Sequence, residues 1–155
     1  MASSVRFEVE DRPGIEKPLE KYFVFTGNTN WGVQNLCYDP FSGKMFMAVY
    51  KGSKPQYPNY PLFAVDMTRK PVRGVLKGVS YDRSKHSLPF LSEDGLKDSA
   101  TGITGWNFGL GSTGFCSLGG GLFYFSQNGR VNGSETCVAR LLRWTGDSGD
   151  PFAEP

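Results

Sequence analysis

Amide and indole side chains gather at two places in this 155-residue chain: Asn28, Asn30, Trp31 and Gln34 lie close together, and Trp106 adjoins Asn107. An indole offers a flat apolar face against which a pyranose ring can stack, and an amide donates and accepts toward hydroxyls at once. The chemistry of this set is capture of a polar, ring-bearing ligand, with no bond made or broken. Tyr57 and Tyr60, in a loop rich in proline, are further candidates for the same surface. Taken singly, each of these residue types also serves in cores and at strand–loop junctions, which is the plainer reading of any one of them.

Bond-breaking chemistry finds less support. The run Gly146-Asp147-Ser148-Gly149-Asp150-Pro151 resembles the nucleophile loop of chymotrypsin-like serine proteases, with Asp150 where that family carries glycine. The resemblance implies a serine nucleophile, which needs a histidine base, a carboxylate to orient it and an oxyanion hole. The only histidine, His86, sits in Ser84-Lys85-His86-Ser87, unlike that family's histidine surroundings, so the hexapeptide reads as an acidic turn. Glu93, Asp94 and Glu135 are carboxylates of the type that cleave glycosides in pairs, but no spacing singles out a pair among 15 acids. One histidine and no paired cysteines argue against an ordinary zinc site. Asp147 and Asp150 lack the ligand spacing of a calcium-binding EF-hand loop. Gly119-Gly120-Gly121 falls between strands instead of opening a helix, so it does not cradle phosphate. Asn132-Gly133-Ser134 has the form of a glycosylation acceptor. No catalytic residue, metal ligand or cofactor is assigned.

The charges balance closely, 17 basic against 15 acidic for a net +2, which gives no drive toward nucleic acid or an anionic membrane. They are unevenly spread. Lys51, Lys54, Arg69, Lys70, Arg73, Lys77, Arg83 and Lys85 face only Asp66 and Asp82 across the same stretch. That is a basic face for a phosphate or acidic partner or, more simply, a set of solvated loops and lysine-guarded strand edges. No apolar run approaches the eighteen or so residues of a membrane span. Cys37 and Cys116 each follow a bulky apolar residue and read as small buried hydrophobes, with a Cys116–Cys137 bridge between adjacent strands as the alternative. The opening Met1-Ala2-Ser3-Ser4 and the closing run from Asp150 to Pro155 read as arbitrary boundaries. They suggest a longer extracellular or cell-surface parent whose leader has been removed.

What must position the candidate residues is a set of short strands. Twenty glycines and ten prolines interrupt the chain too often for long helices. Alternating or β-branched and aromatic runs predict strands over residues 5–10, 22–26, 31–38, 44–50, 62–66, 112–117, 122–126 and 136–144. Asp39-Pro40-Phe41-Ser42-Gly43 is a strong turn. A loop holding Asn128-Gly129 and Asn132-Gly133 precedes the last strand, and the polar stretch 80–105 is expected to be loop. The pattern is written twice. Leu36-Cys37 leads through a turn to Phe46-Met47-Ala48-Val49-Tyr50, and Phe115-Cys116 leads through a shorter one to Phe123-Tyr124-Phe125-Ser126-Gln127. An internal repeat of this kind marks a recurring supersecondary unit.

Residues 34–48 resemble the two inner strands of a β-propeller blade, and residues 61–66 look like its third strand. The resemblance implies an all-β domain over residues 1–155 with two blade-like repeats, about 22–67 and 103–144, joined by the polar insertion 80–102. Propellers close with four to eight blades. The expectation is therefore a partial propeller or a propeller-like sandwich or barrel, completed by copies in a homo-oligomer or by neighbouring blades of a parent chain. The function expected is non-catalytic binding of a glycan or protein partner by an extracellular or cell-surface protein, through Asn28, Asn30, Trp31, Gln34, Trp106 and Asn107. The alternatives are a fragment of a glycoside- or ester-cleaving hydrolase whose other catalytic groups lie elsewhere, and a purely structural repeat module.

Overall fold

The computed structural model describes residues 2–6, 20–76 and 85–155, the first of these by backbone alone. Every regular element among them is a strand: β1 (Ala2–Arg6), β2 (Glu20–Val24), β3 (Thr29–Asp39), β4 (Lys44–Lys51), β5 (Leu62–Asp66), β6 (Val72–Val75), β7 (Lys85–Leu88), β8 (Leu96–Lys97), β9 (Thr104–Gly105), β10 (Phe115–Gly119), β11 (Leu122–Val131), β12 (Ser134–Trp144) and β13 (Phe152–Ala153). The fold is all-β. A three-stranded antiparallel sheet, β3-β4-β5, lies in the middle. A four-stranded antiparallel meander, β10-β11-β12-β13, covers one face of it. A second four-stranded sheet runs β1-β2-β7-β6, with β2 and β7 parallel, and β8-β9 form a small hairpin-like pair. Single bridges from Leu62 to Trp106 and from Val65 to Leu91 extend the β5 edge.

Within the middle sheet, β4 and β5 are covered on both sides, which shows in their sequence. Four consecutive residues of β4, Phe46 to Val49, and four of β5, Leu62 to Val65, are buried, so the period-2 alternation of a half-wet strand is lost. Phe46, Ala48, Leu62 and Ala64 meet Phe123, Phe125, Leu142 and Phe152 of the meander. Met47, Val49, Phe63 and Val65 meet Val24, Tyr60 and Ile103 on the other side. The first interface is aromatic. The Phe46 ring is edge-on to Phe123 at 5.4 Å and to Trp144 at 4.9 Å, while Phe152 touches Phe123 and Phe125 at 5.0 and 4.8 Å. Each such pair adds about 0.5–1.5 kcal/mol beyond its area burial.

A polar joint fixes how β3 meets β10. The fully buried Asp39 accepts from the Ser117 hydroxyl at 2.7 Å and from the Ser42 amide at 2.9 Å. The Ser117 amide donates to Cys37 Sγ at 3.0 Å, and Asn35 Nδ2 donates to the carbonyls of Gly111 and Ser112. The turn at 39–43 forms as expected, with Gly43 left-handed at φ 67°. Its counterpart in the second copy is a two-residue turn, Gly120-Gly121, with φ of 58° and 77°, the primed geometry that matches strand twist.

Four features differ from the sequence reading. Cys37 and Cys116 are not equivalent: Cys37 pairs with Phe46, but it is Ser117 that pairs with Phe123, and Cys116 pairs with Tyr124. One step of register reverses the face, so Cys37 packs against the core and Cys116 is exposed. Cys116 and Cys137 cannot be bridged, because β11 lies between their strands and two strand spacings are about 9–10 Å. All three thiols are free. Asn128-Gly129 belongs to β11 instead of a loop, and only Asn132-Gly133 turns the chain, at φ of 49° and 81°. The stretch 80–105 holds β7, which pairs with β2 and β6 outside it, and β8 and β9, two-residue strands that pair with each other and are too short to leave a periodic signature. Residues 7–10 of the first expected strand, and 80–84 of the insertion, lie outside the described residues.

Two substitutions test this packing by chemical denaturation. Phe46→Ala is expected to cost about 3–5 kcal/mol, the range for deleting a fully buried ring. Thr26 is fully buried and its hydroxyl has no partner among the described residues, so the isosteric Thr26→Val should gain about 1 kcal/mol.

Candidate functional site

The ends of β3 and β4 create the most exposed aromatic residue among the described residues. The eleven residues of β3 span the same ladder as the eight of β4, so three must leave the pairing. The register passes from Asn30↔Tyr50 to Val33↔Val49 and then to Asn35↔Ala48, which expels Trp31, Gly32 and Gln34. Trp31 and Gly32 take left-handed backbone, φ 62° and 74°. The indole stands 89% exposed. Left-handed backbone costs a residue with a side chain about 1–2 kcal/mol, and a bulky one adopts it rarely. Gln34 braces the bulge by donating from Nε2 to the carbonyls of Trp31 at 2.9 Å and Gly32 at 3.4 Å.

The strand pairing brings other groups to this end. Asn30, exposed, stands opposite Tyr50 in the ladder. Tyr50, Lys51, Asn107 and Ser112 line an open cleft of about 500 Å³. Asn30 is thus the ladder partner of Tyr50, and Asn107 lines the same cleft as Tyr50, relations the sequence reading missed because no local pattern marks a cross-strand partner.

The remaining sequence candidates have other positions. Asn28 is a loop clamp: its Oδ1 accepts from the amides of Ser53 and Lys54 at 3.1 and 3.2 Å. A Cβ on Gly52 would overlap the Asn28 side chain and carbonyl, so glycine is required there. Gln34 serves the bulge. Trp106 is 0% exposed, its Nε1 donating to the Asp147 carbonyl at 3.1 Å and its ring edge-on to Trp144 at 5.5 Å, so it has no face to offer a ligand. Tyr60 is core, and Tyr57 lies edge-on to Phe25 at 6.1 Å.

The protease-like run is a turn. Asp147 Oδ1 accepts from the amides of Asp150 and Gly149 at 3.0 and 2.7 Å, and these bonds hold its carboxyl below the usual carboxylate range. Ser148 lies in the loop between β12 and β13, whereas His86 lies in β7 with its ring against Phe23, so the two belong to different sheets. Among the described residues no three His, Cys, Asp or Glu side chains gather as a metal would need, and no helix is long and apolar enough to cross a membrane. Burial raises the Cys37 thiol, against the smaller opposing pull of the Ser117 amide.

Comparison with protein-family models, with curated proteins and with solved structures gives no match.

Thiol labelling at pH 8 should therefore show Cys116 and Cys137 reacting quickly and Cys37 far more slowly in the folded chain, with all three fast in denaturant. Trp31→Gly should leave the unfolding midpoint unchanged or slightly raised. A loss above about 1 kcal/mol would mean that the indole packs against the protein after all.

Proposed function

We propose that this chain is a non-catalytic binding module of an extracellular or cell-surface protein, and that it captures a glycan at the Trp31 end of the middle sheet. The observation that carries this reading is Trp31 itself. The chain expels one of its three tryptophans from the ladder, keeps it in unfavourable left-handed backbone and braces that backbone with Gln34. Strain of this kind clusters where function needs a side chain held in place. The indole is the stacking platform. Asn30 and Asn107 supply amides for hydroxyls, and Tyr50, the ladder partner of Asn30 and a lining residue of the same cleft as Asn107, adds a second ring. Trp106 takes no part beyond supporting the core. The acceptor asparagine Asn132 sits at the exposed tip of the β11–β12 hairpin, where a glycan could be attached without disturbing packing, and this agrees with the location proposed.

One observation favours a second reading, a structural module that packs against a neighbour. The outward face of the meander carries Leu118, Tyr124 and Leu141, which are 50%, 44% and 37% exposed. Tyr124 lies between Cys116 and Leu141 in the register, making a continuous apolar row. Sedimentation of the purified chain tests this: a stable oligomer that Tyr124→Lys dissolves would support it, and a monomer at high concentration would remove it.

A glycan array, followed by tryptophan-fluorescence titration of any hit, tests the main reading. Trp31→Ala should weaken capture at least tenfold while the melting temperature stays within a degree or two. Unchanged binding by Trp31→Ala, or no saccharide captured by the folded wild type, would overturn it.

A further inference from the structure

The described residues cover the face of the middle sheet opposite the meander only in part, and among them a groove of about 670 Å³ is left open, within the range of small-molecule sites. Its floor is Leu36 and Tyr38 of β3, Met45 and Met47 of β4, and Val65 of β5. These share a face by register, since Leu36 pairs with Met47, Tyr38 with Met45, and Met45 with Val65. The turn after β5 forms one wall, with Met67, Arg69 and Lys70. Leu36 and Tyr38 are each 50% exposed and Met67 is 47% exposed, so the apolar surface is contiguous and open, unlike a lone surface leucine. Three of the chain's four methionines line it. Their unbranched, polarizable side chains adapt to a flexible apolar guest better than β-branched ones.

The charged groups on the wall differ in how far they are already committed. Asp66 accepts from both the amide and the hydroxyl of Thr68, at 2.9 and 2.6 Å. Burial alone would raise its carboxyl, but the Thr68 bonds, with Lys44 and Arg69 nearby, bring it below the usual carboxylate range. Arg69 bonds Glu93 at 3.1 Å and lies 3.8 Å over the Phe90 ring. Lys70 has no carboxylate partner among the described residues and is exposed beside the apolar floor. Among the described residues, Lys70 is thus an uncommitted cation at the rim of an apolar trough, complementary to one negative head on an apolar body. A neutral ligand would leave Lys70 unused, and a polyphosphate would leave the floor unused.

We propose that this groove binds a free single-chain fatty acid, its hydrocarbon on the Met45–Met47–Leu36 floor and its carboxylate on Lys70. The site is separate from the Trp31 end, so either can fail without the other.

The test uses cis-parinarate, a fluorescent fatty acid, with the whole chain. Its emission should rise on binding to wild type, and dodecanoate, kept below its micellar concentration, should displace it. Lys70→Glu turns a modest attraction into a repulsion and should weaken dodecanoate about tenfold, while dodecanol competes equally against both proteins. Leu36→Asp, at an exposed floor position, should abolish capture in a protein that still melts cooperatively. Trp31→Ala should bind parinarate as wild type does. No emission rise with folded wild type, equal dodecanoate affinity in Lys70→Glu, or capture only from phosphatidylcholine vesicles and never from solution would each overturn the proposal.

Discussion

A sheet that is apolar on both faces cannot stand in water, and the architecture follows from meeting that constraint for β4 and β5. Phe46 and Met47 are neighbours in sequence, yet they point into two different buried clusters. One cover is a regular sheet, β10 to β13, whose rings interlock with Phe46 and with one another. The other is assembled from pieces: Val24 at the end of β2, Tyr60 from a loop and Ile103 just before β9. A cover built from pieces leaves a gap, and the methionine-floored groove is that gap. The two sides of one sheet thus differ in kind, one a sealed aromatic interface and the other an adaptable open trough.

A ladder in which eleven residues meet eight has the same sort of consequence at one end. The surplus must leave the pairing, and the residues that leave cannot be buried between strands. Trp31 is exposed for this geometrical reason before any ligand is invoked. Gln34 and Asn28 then keep the neighbouring backbone in order, through short bonds to carbonyls and amides that the irregular chain leaves without ladder partners. The buried Asp39 has an equivalent role at the other end of β3, where its two oxygens hold the 39–43 turn and the second sheet together.

Much of the strand content was legible locally. The Asp39–Gly43 turn and the apolar runs of β4, β5 and β11 carry their signals in a few adjacent residues. Register does not. The repeat aligns Cys37 with Cys116 in the written sequence, and a bulge between Ser117 and Gly119 sends the second thiol to the opposite face. Of two Asn-Gly pairs, only one turns the chain: the ladder runs on past the other, through Asn128↔Cys137 and Gly129↔Thr136 to Val131↔Ser134. Trp31 and Trp106 show the same limit at the candidate site. Each neighbours an asparagine, and their local patterns look alike. Trp106 is buried because its backbone pairs with Leu62, far away in the chain, and that contact leaves no mark on the residues beside it.

The β11–β12 hairpin has two unlike halves. Near its root, Phe123, Phe125 and Leu142 are locked in the core, whereas from Gln127 to Arg140 nearly every residue is exposed and the strands hold only each other. Opening from the Asn132–Gly133 tip therefore breaks ladder bonds without uncovering the aromatic interface. The hairpin is a graded zipper: amides toward the tip can exchange with solvent through small local openings, while those beside Phe123 can do so only when the whole middle sheet comes apart.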